Sequence, residues 1–558
     1  MAQPSPIHTA YAGMAQDSSR DQLPAQTLWN IVDYIPNLLG APLRKRGGWV
    51  YASSAVSATT AASAYSQHNN IDWVMYGQTD LGGPQLLIID SPGFAASSIS
   101  STSMPGPNLW SVNESTGAIT WITAITAMSS TAARGMTVPY KPVLFGKRWF
   151  IPLGYTQAWM DSAGNAVTAR PMLNNVHNIK VYDGDSIETA QVASANGGAA
   201  GARYAAVYKS RVVLANGPRF PRRLFFSTAG TEKMNKWLDP NAWVDMPMHV
   251  TGLCPLPTAL LVYGWDRAIR IRGSIPPPMS DFVVESLSDE GCPDYRSIAV
   301  WNGKAIYANT NGVFLTDAID TIDLTLTAGM SNYYRSLMAN YTNAWRLDAT
   351  VFRGYYFLSI TDENVAAVDT LVCDLARRAW FRFSNFQMHG HTLGTGNSFQ
   401  KLFAANLTSQ VVRLTDIFVP AAANKADGDG TSVLPVIEYP CRRGFYKQGR
   451  KWTPTMGLTH WKRLYLSYDM RDAATDNPAL QLSYVTTPED SSYDTITPTL
   501  AETSKFTRAG VSFGPSGERG GVLVDALGVK VAQTAPSSDT RIYSLEAEME
   551  AVEGSRVA

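Results

Sequence analysis

His389-Gly-His391 is the spacing in this chain that most invites chemistry, because residues two apart on a strand project both imidazoles from one face and make half a metal site. A complete zinc site needs three or four ligands. The chain has 7 histidines and no third ligand stands near this pair, so satisfied or surface histidines are expected instead. Asp427-Gly-Asp429-Gly430 and Asp183-Gly-Asp185-Ser186 resemble pieces of calcium loops. They lack the further carboxylates that would fill the oxygen positions of the ion, and ordinary turns are expected. Gly394-Thr-Gly-Asn-Ser-Phe399 begins like a dinucleotide fingerprint but has no third glycine and no helix to follow. The phosphate-loop, zinc-protease and serine-elbow patterns are absent, as is the sialidase Asp-box. Paired carboxylates for glycoside hydrolysis are spatial rather than sequential, so the sequence does not locate them. No cofactor, no metal and no enzymatic activity is expected.

Three basic clusters remain: Arg44-Lys45-Arg46, Arg219 with Arg222-Arg223, and Arg442-Arg443 with Lys447, Arg450 and Lys451. Phe445, Tyr446 and Trp452 interleave the last, which is the composition of a single-strand platform, but a solvated or subunit-facing surface is the favoured reading. The acidic run Glu546, Glu548, Glu550 and Glu553 is a candidate neighbour for it. Over the whole chain 46 basic and 46 acidic residues cancel, which disfavours tight general DNA binding. Cys254, Cys292, Cys373 and Cys441 stand far apart with no Cys-x-x-Cys pair, as buried free thiols would. Met1-Ala-Gln-Pro-Ser-Pro is no signal peptide and no apolar run is long enough to span a membrane, so folding in the cytoplasm is expected.

The elements that must hold these residues are strands. With 45% hydrophobic, 11% aromatic and only 16% charged residues, the composition favours sheets over exposed amphipathic helices. Strand-like runs come in pairs around tight turns. Examples are 71–76 with 85–90, 142–145 with 148–151, 259–263 with 268–272, 297–300 with 304–307 across Asn302-Gly303, and 349–352 with 355–360 across Arg353-Gly354. The pairs recur every ~40 to 50 residues, the interval of four-stranded propeller blades. The expected fold is therefore all-β: a β-propeller of six to eight blades with degenerate repeats over residues 49–425. An extended N-terminal arm is expected over 1–48 and a C-terminal β-sandwich-like domain over 426–558. A long sandwich or a series of small β-domains would give similar hairpins.

The stretch Asn30-Ile-Val-Asp33 through Gly40-Ala-Pro-Leu-Arg-Lys-Arg-Gly47, the run Ala206–Leu214 with Arg223–Ser227, and Asn311-Gly312-Val313 carry a resemblance. In this order they resemble the β-propeller virion proteins of phage tails, in particular the tail nozzle (tail tubular protein B) family. A proline usual in that family's basic turn is glycine here. The resemblance implies a structural virion protein, made in the host cytoplasm, standing as a homohexameric ring beneath the connector around the DNA exit channel. Its implied partners are connector (adaptor) and neighbouring tail proteins, with transient contact to viral DNA. Trp29, Ile31 and Ile35 in the arm, with Arg44, Lys45, Arg46, Arg442 and Arg443, are the candidate intersubunit or partner contacts. The alternative is a tail protein whose propeller binds a host receptor or binds and hydrolyses a glycan.

Overall fold

In the computed structural model the chain is all-β, built from many small antiparallel sheets. Residues 5–557 are described apart from connecting segments, those of ten residues or more being 18–27, 54–68, 93–106, 126–136, 169–178 and 415–425. Among the described residues, seven sheets have the same four-stranded form. The first runs Asn69–Thr79, Gly83–Pro92, Asn108–Val112, Ile119–Ala124, and the second Val143–Phe145, Arg148–Ile151, Lys180–Tyr182, Ile187–Thr189. The third runs Tyr204–Tyr208, Arg211–Gly217, Phe220–Phe226, Trp243–Asp245, and the fourth Gly252–Pro255, Leu260–Tyr263, Ala268–Arg272, Val283–Ser288. The fifth runs Ala299–Trp301, Lys304–Ala308, Val313–Thr316, Thr321–Asp323, and the sixth begins Trp345–Phe352, Tyr355–Asp362, Thr370–Asp374, Ala379–Phe383. The seventh runs Met388–Thr395, Gln400–Asn406, Val411–Arg413 and then takes its last strand, Val50–Tyr51, from the other end of the chain.

Turn chemistry makes these hairpins. Asn302-Gly303 and Arg353-Gly354 each hold two successive residues at positive φ (48° and 74°; 51° and 82°), matching the twist of the strands they join. Lys209-Ser210 does the same without glycine (48° and 59°), which is why the run 204–211 reads from sequence as one uninterrupted strand.

Packing explains why the middle strands are continuous apolar runs. Leu260–Tyr263 and Thr370–Asp374 are buried at every position because each sheet has a neighbour on both faces. Val212 and Leu214 point toward Phe150 and Val181 of the second sheet, while Val213 between them points toward Val262 and Ile271 of the fourth. The same sharing joins sheet one to two through Trp73, Leu87 and Trp149, and four to five through Leu261, Tyr263 and Tyr307. Sheets five, six and seven meet through Ile306, Tyr356 and Leu402. Phe403 and Val411 of the seventh then pack on Ile71 and Ile88 of the first. The order returns to its start, a propeller-like arrangement.

The described residues of the segment expected as an extended arm pack onto the fold instead. Met14 and Leu28 are fully buried, with Met14 N–H donating to Trp380 O at 2.9 Å. The Asp17 carboxylate caps the helix Ser331–Ala339 by accepting from Ser331 and Asn332 N–H at 2.9 and 2.7 Å. Asn30–Val32 lies parallel to Ala379–Phe383 and antiparallel to Val436–Glu438, so the sixth sheet continues into Ala526–Gln533, Ala479–Val485 and Asp494–Ala501. Tyr34–Pro36 and Leu43–Lys45 form a hairpin on Asp539–Ala551, which pairs in turn with Thr459–Arg471 and Thr503–Ser512. Leu464, Leu466 and Leu545 from that sheet share one apolar core with Leu482, Val529 and Ile437 from the other. The apolar segment expected to need a second subunit finds its burial inside its own chain. Its three-residue strands were too short to show a period.

Candidate functional site

Of the residues singled out from sequence, Ile31, Ile35, Lys45 and Arg46 are buried within this chain, and Trp29 and Arg44 are half-buried. The first four are therefore spent on internal packing and are not exposed for a partner. Arg46 is the centre of a buried ionic latch. Its Nε donates to Asp33 Oδ1 at 2.7 Å, and Nη1 and Nη2 donate to Asp427 Oδ1 and Oδ2 at 2.8 and 3.0 Å. Nη1 and Nη2 also reach the carbonyls of Gly47 (3.1 Å) and Ser384 (2.7 Å), so all five guanidinium N–H groups are used. The guanidinium lies 5.3 and 5.6 Å from the ring centres of Phe383 and Phe386. Burial opposes its charge, but Asp33 and Asp427 outweigh burial and its pKa rises.

The carboxylates are equally committed. Asp33, held at φ 59°, accepts from Ser384 N–H at 3.0 Å and from the Ser384 hydroxyl. Asp427 accepts from Trp49 N–H and Asn385 Nδ2, each at 3.2 Å. Burial pushes the Asp427 carboxyl upward, while the Arg46 guanidinium and the Trp49 N–H oppose that shift. The suspected calcium fragment is thus a partner of Arg46, which ties the first strands, the sixth sheet and the segment leading to the terminal sheets together.

The other sequence candidates resolve as follows. Asp183 Oδ1 accepts from Asp185 and Ser186 N–H at 3.0 and 2.9 Å, an ordinary turn. Gly394 and Thr395 pair with Lys401 and Gln400 in a hairpin, with no helix following. Arg223 is clamped between Trp243 (3.6 Å) and Phe220 (4.3 Å) and bonds Asp245 at 2.6 Å. Glu546 pairs with Arg508 at 2.6 Å, not with the third basic cluster. Arg442 and Arg443 form a short strand against Leu527 and Ala526, and their side chains, like those of His389 and His391, lie outside the described residues. Cys254, Cys292 and Cys373 are buried free thiols. Among the described residues no group of three or more His, Cys, Asp or Glu is placed to hold a metal. No helix there is long and apolar enough to cross a membrane.

A second cluster, at the centre of the cycle of sheets, was not foreseen. In four of the seven sheets the first strand, or the residues leading into it, brings a charged residue beside an aromatic one: Asp72-Trp73, Tyr140-Lys141, Arg203-Tyr204 and Asp294-Tyr295-Arg296. Asp294 caps the short helical turn Tyr295–Ser297 by accepting Arg296 N–H at 3.1 Å, and its other oxygen accepts Leu347 N–H of the sixth sheet at 2.9 Å. That turn carries Tyr295 across the axis. Its ring lies 6.0 Å from Trp73, 5.5 Å from Tyr140 and 5.0 Å from Tyr204, touching sheets one, two and three at once. Arg296 stacks on Trp73 at 4.9 Å and donates from Nε to the Tyr295 hydroxyl at 3.3 Å. Asp348 accepts Gly390 N–H at 2.9 Å, and Gly390 at φ 59° approaches so close that a Cβ would stand 2.7 Å from Asp72 O.

Electrostatics there balance. Burial opposes the Arg296 charge, but Tyr295, Asp294, Asp72 and Asp348 raise its pKa overall. Burial pushes the Asp294 carboxyl up to about 6. Lys141 is open to solvent and yet enclosed enough that burial lowers its pKa, with Asp348 and Cys254 opposing. Asp294 has both oxygens, and Asp348 one, bonded to backbone N–H groups, and these bonds join neighbouring sheets.

No protein-family model and no curated protein matches this chain. Among solved structures, the crystal structure of a GH43_1 enzyme from Xanthomonas citri is similar over 64% of this chain and 91% of that one, at 11% identity. Its TM-score is 0.23, too low to carry any argument.

A separate hollow of about 600 Å³ lies where Val50–Tyr51 joins the seventh sheet, lined by Tyr51, Ser53, Glu114, Thr116, Phe403 and Arg413. Glu114 there is held by Lys401 at 2.6 Å. The pairing of charge with aromatic at one phase of four of the repeats is the signal that could have revealed this cluster from sequence.

Proposed function

We propose that the chain is a structural component of a bacteriophage tail or head-to-tail conduit, a seven-bladed β-propeller whose two termini together build a second, sandwich-like body. In this reading the copies stand side by side in a ring, six by the resemblance, and DNA passes between them. The observation that carries the reading is the latch. One of the segments that carry the family resemblance, Asn30 to Gly47, is the piece whose Arg46 joins propeller and terminal sheets. A conduit wall under load needs stiffness at that junction. The axial turn at Tyr295 agrees with it, since a filled axis leaves the space between copies for the DNA. Negative-stain imaging of the purified protein, alone and with co-expressed connector proteins, tests the proposal. Six-fold rings with a central hole are expected. Monomers under both conditions, or a trimeric spike, would overturn it.

A further inference from the structure

We propose that Asn302 is a site of spontaneous deamidation, which the fold favours there over the other Asn-Gly pairs among the described residues. This does not rest on the conduit reading. The chain holds four such pairs, at Asn196, Asn216, Asn302 and Asn311, and the first lies outside the described residues. In the reaction the backbone nitrogen of the glycine attacks Cγ of the asparagine side chain. The new C–N bond closes a succinimide ring, the attacking nitrogen gives up its proton to solvent base, and the side-chain nitrogen takes up a proton and leaves as ammonia. Water then opens the ring at either carbonyl, giving aspartate or isoaspartate. Glycine eases the attack because it has no Cβ to obstruct the approach. In sequence the pairs are equal. The fold separates them by exposure, by whether the glycine N–H is bonded, and by whether the asparagine amide can turn toward it.

Asn302 meets all three conditions. Asn302 and Gly303 are both exposed at the tip of the hairpin joining Ala299–Trp301 to Lys304–Ala308. Trp301 and Lys304 pair with one another across this two-residue turn, so the Gly303 N–H between them faces solvent. The Asn302 amide has no hydrogen bond to any described residue, and a Cβ added at Gly303 would meet nothing within 4 Å. The other two pairs are held. Gly312 is buried with its N–H donating to Asn309 Oδ1 at 3.1 Å, and Asn311 Nδ2 donates to Glu290 Oε2 at 3.2 Å. Asn216 is half-buried with its amide donating to Val250 O, and Gly217 is buried at the end of its strand. Isoaspartate routes the chain through the side-chain carbon and so lengthens a turn whose two positive-φ residues fit the strand twist as they stand. Either product also sets a carboxylate beside Lys304, the partner of Asp317 at 3.6 Å.

The test incubates the full chain, native and unfolded in guanidinium chloride, in mildly alkaline buffer and follows its peptides by mass spectrometry. Labelling with an isoaspartyl methyltransferase counts the isoaspartate. Unfolded, the three pairs should react at comparable rates, since no fold is left to separate them. In the native chain Asn302 should react roughly tenfold or more faster than Asn216 or Asn311, whose hydrogen bonds must break before attack. Its rate should rise with pH, because the attacking nitrogen must lose its proton. A native Asn302 that stays intact while the unfolded chain reacts overturns the proposal. So does native reaction at Asn216 or Asn311 as fast as at Asn302.

Discussion

Replacing Arg46 with Met keeps the apolar stem and removes the guanidinium, leaving Asp33 and Asp427 facing one another in the interior. Arg46 and Asp33 have fully buried side chains, and that of Asp427 is 1% exposed, so solvent does not screen the loss. Removing one partner of a buried ion pair costs about 3–5 kcal/mol, most of it the charge left behind. The upper part of that range is expected, since five N–H donors vanish and two carboxylates are orphaned. Urea unfolding followed by tryptophan fluorescence measures the loss, with Trp49, whose indole donates to Asn385 O at 3.1 Å beside the latch, among its 15 reporters. The comparison holds where the slope against urea is unchanged. The triple variant Arg46→Met/Asp33→Asn/Asp427→Asn should recover part of the loss, as no net charge remains to bury. A single variant within about 0.5 kcal/mol of the parent, the range of an ordinary surface substitution, would refute the account of a latch.

Deleting residues 1–27 should destabilise the fold rather than merely shorten a tail, because Met14 is fully buried and a buried Met is worth about 2–5 kcal/mol; a thermal melt matching the full chain would contradict this. Gly390→Ala should cost more than about 1 kcal/mol, since alanine is strained at φ 59° and its Cβ would meet Asp72 O, and urea midpoints will show it. Asp90 is buried and its carboxyl is pushed up to about 6, chiefly by burial; Oδ1 accepts Asn108 N–H at 3.0 Å while Oδ2 lacks a well-aligned partner, though the nearby Trp110 indole favours the charge. Its folded pKa lies above the ordinary value, so the folded state holds this proton more tightly. Stability from it is present below about pH 4 and is lost as pH rises through about 6, roughly 3 kcal/mol at most. Asp90→Asn should flatten the melting curve across that window. Duplex DNA should bind weakly and without sequence preference at physiological salt, losing ~0.9 in log K per phosphate contact per decade of salt, and Arg442→Glu/Arg443→Glu should disturb assembly more than this binding in gel shifts.

What was legible in the sequence was local. Turn pairs such as Asn302-Gly303 and Arg353-Gly354 fix their hairpins by backbone conformation alone, and the strands around them lie where the residues place them. What was not legible joins distant parts. Nothing near Arg46 in sequence names Asp427 as its partner, and three-residue strands such as Asn30–Val32 carry no period to read. Lys209-Ser210 hid a turn because neither residue is the glycine that positive φ usually selects. The axial cluster was missed because each of its members is one ordinary residue per repeat, and only closure of the cycle makes them neighbours.

The strand Val50–Tyr51 gives that closure a timetable. It is synthesised before any of the seven sheets and completes the last of them, against Val411–Arg413. Tyr34–Pro36 and Leu43–Lys45 wait longer still, for Asp539–Ala551. Sheets one to five can form in turn as they leave the ribosome, but the opening strands lack their sheet neighbours until two thirds or more of the chain is made. An interrupted product therefore exposes open sheet edges, and maturation becomes a check that translation has reached the end.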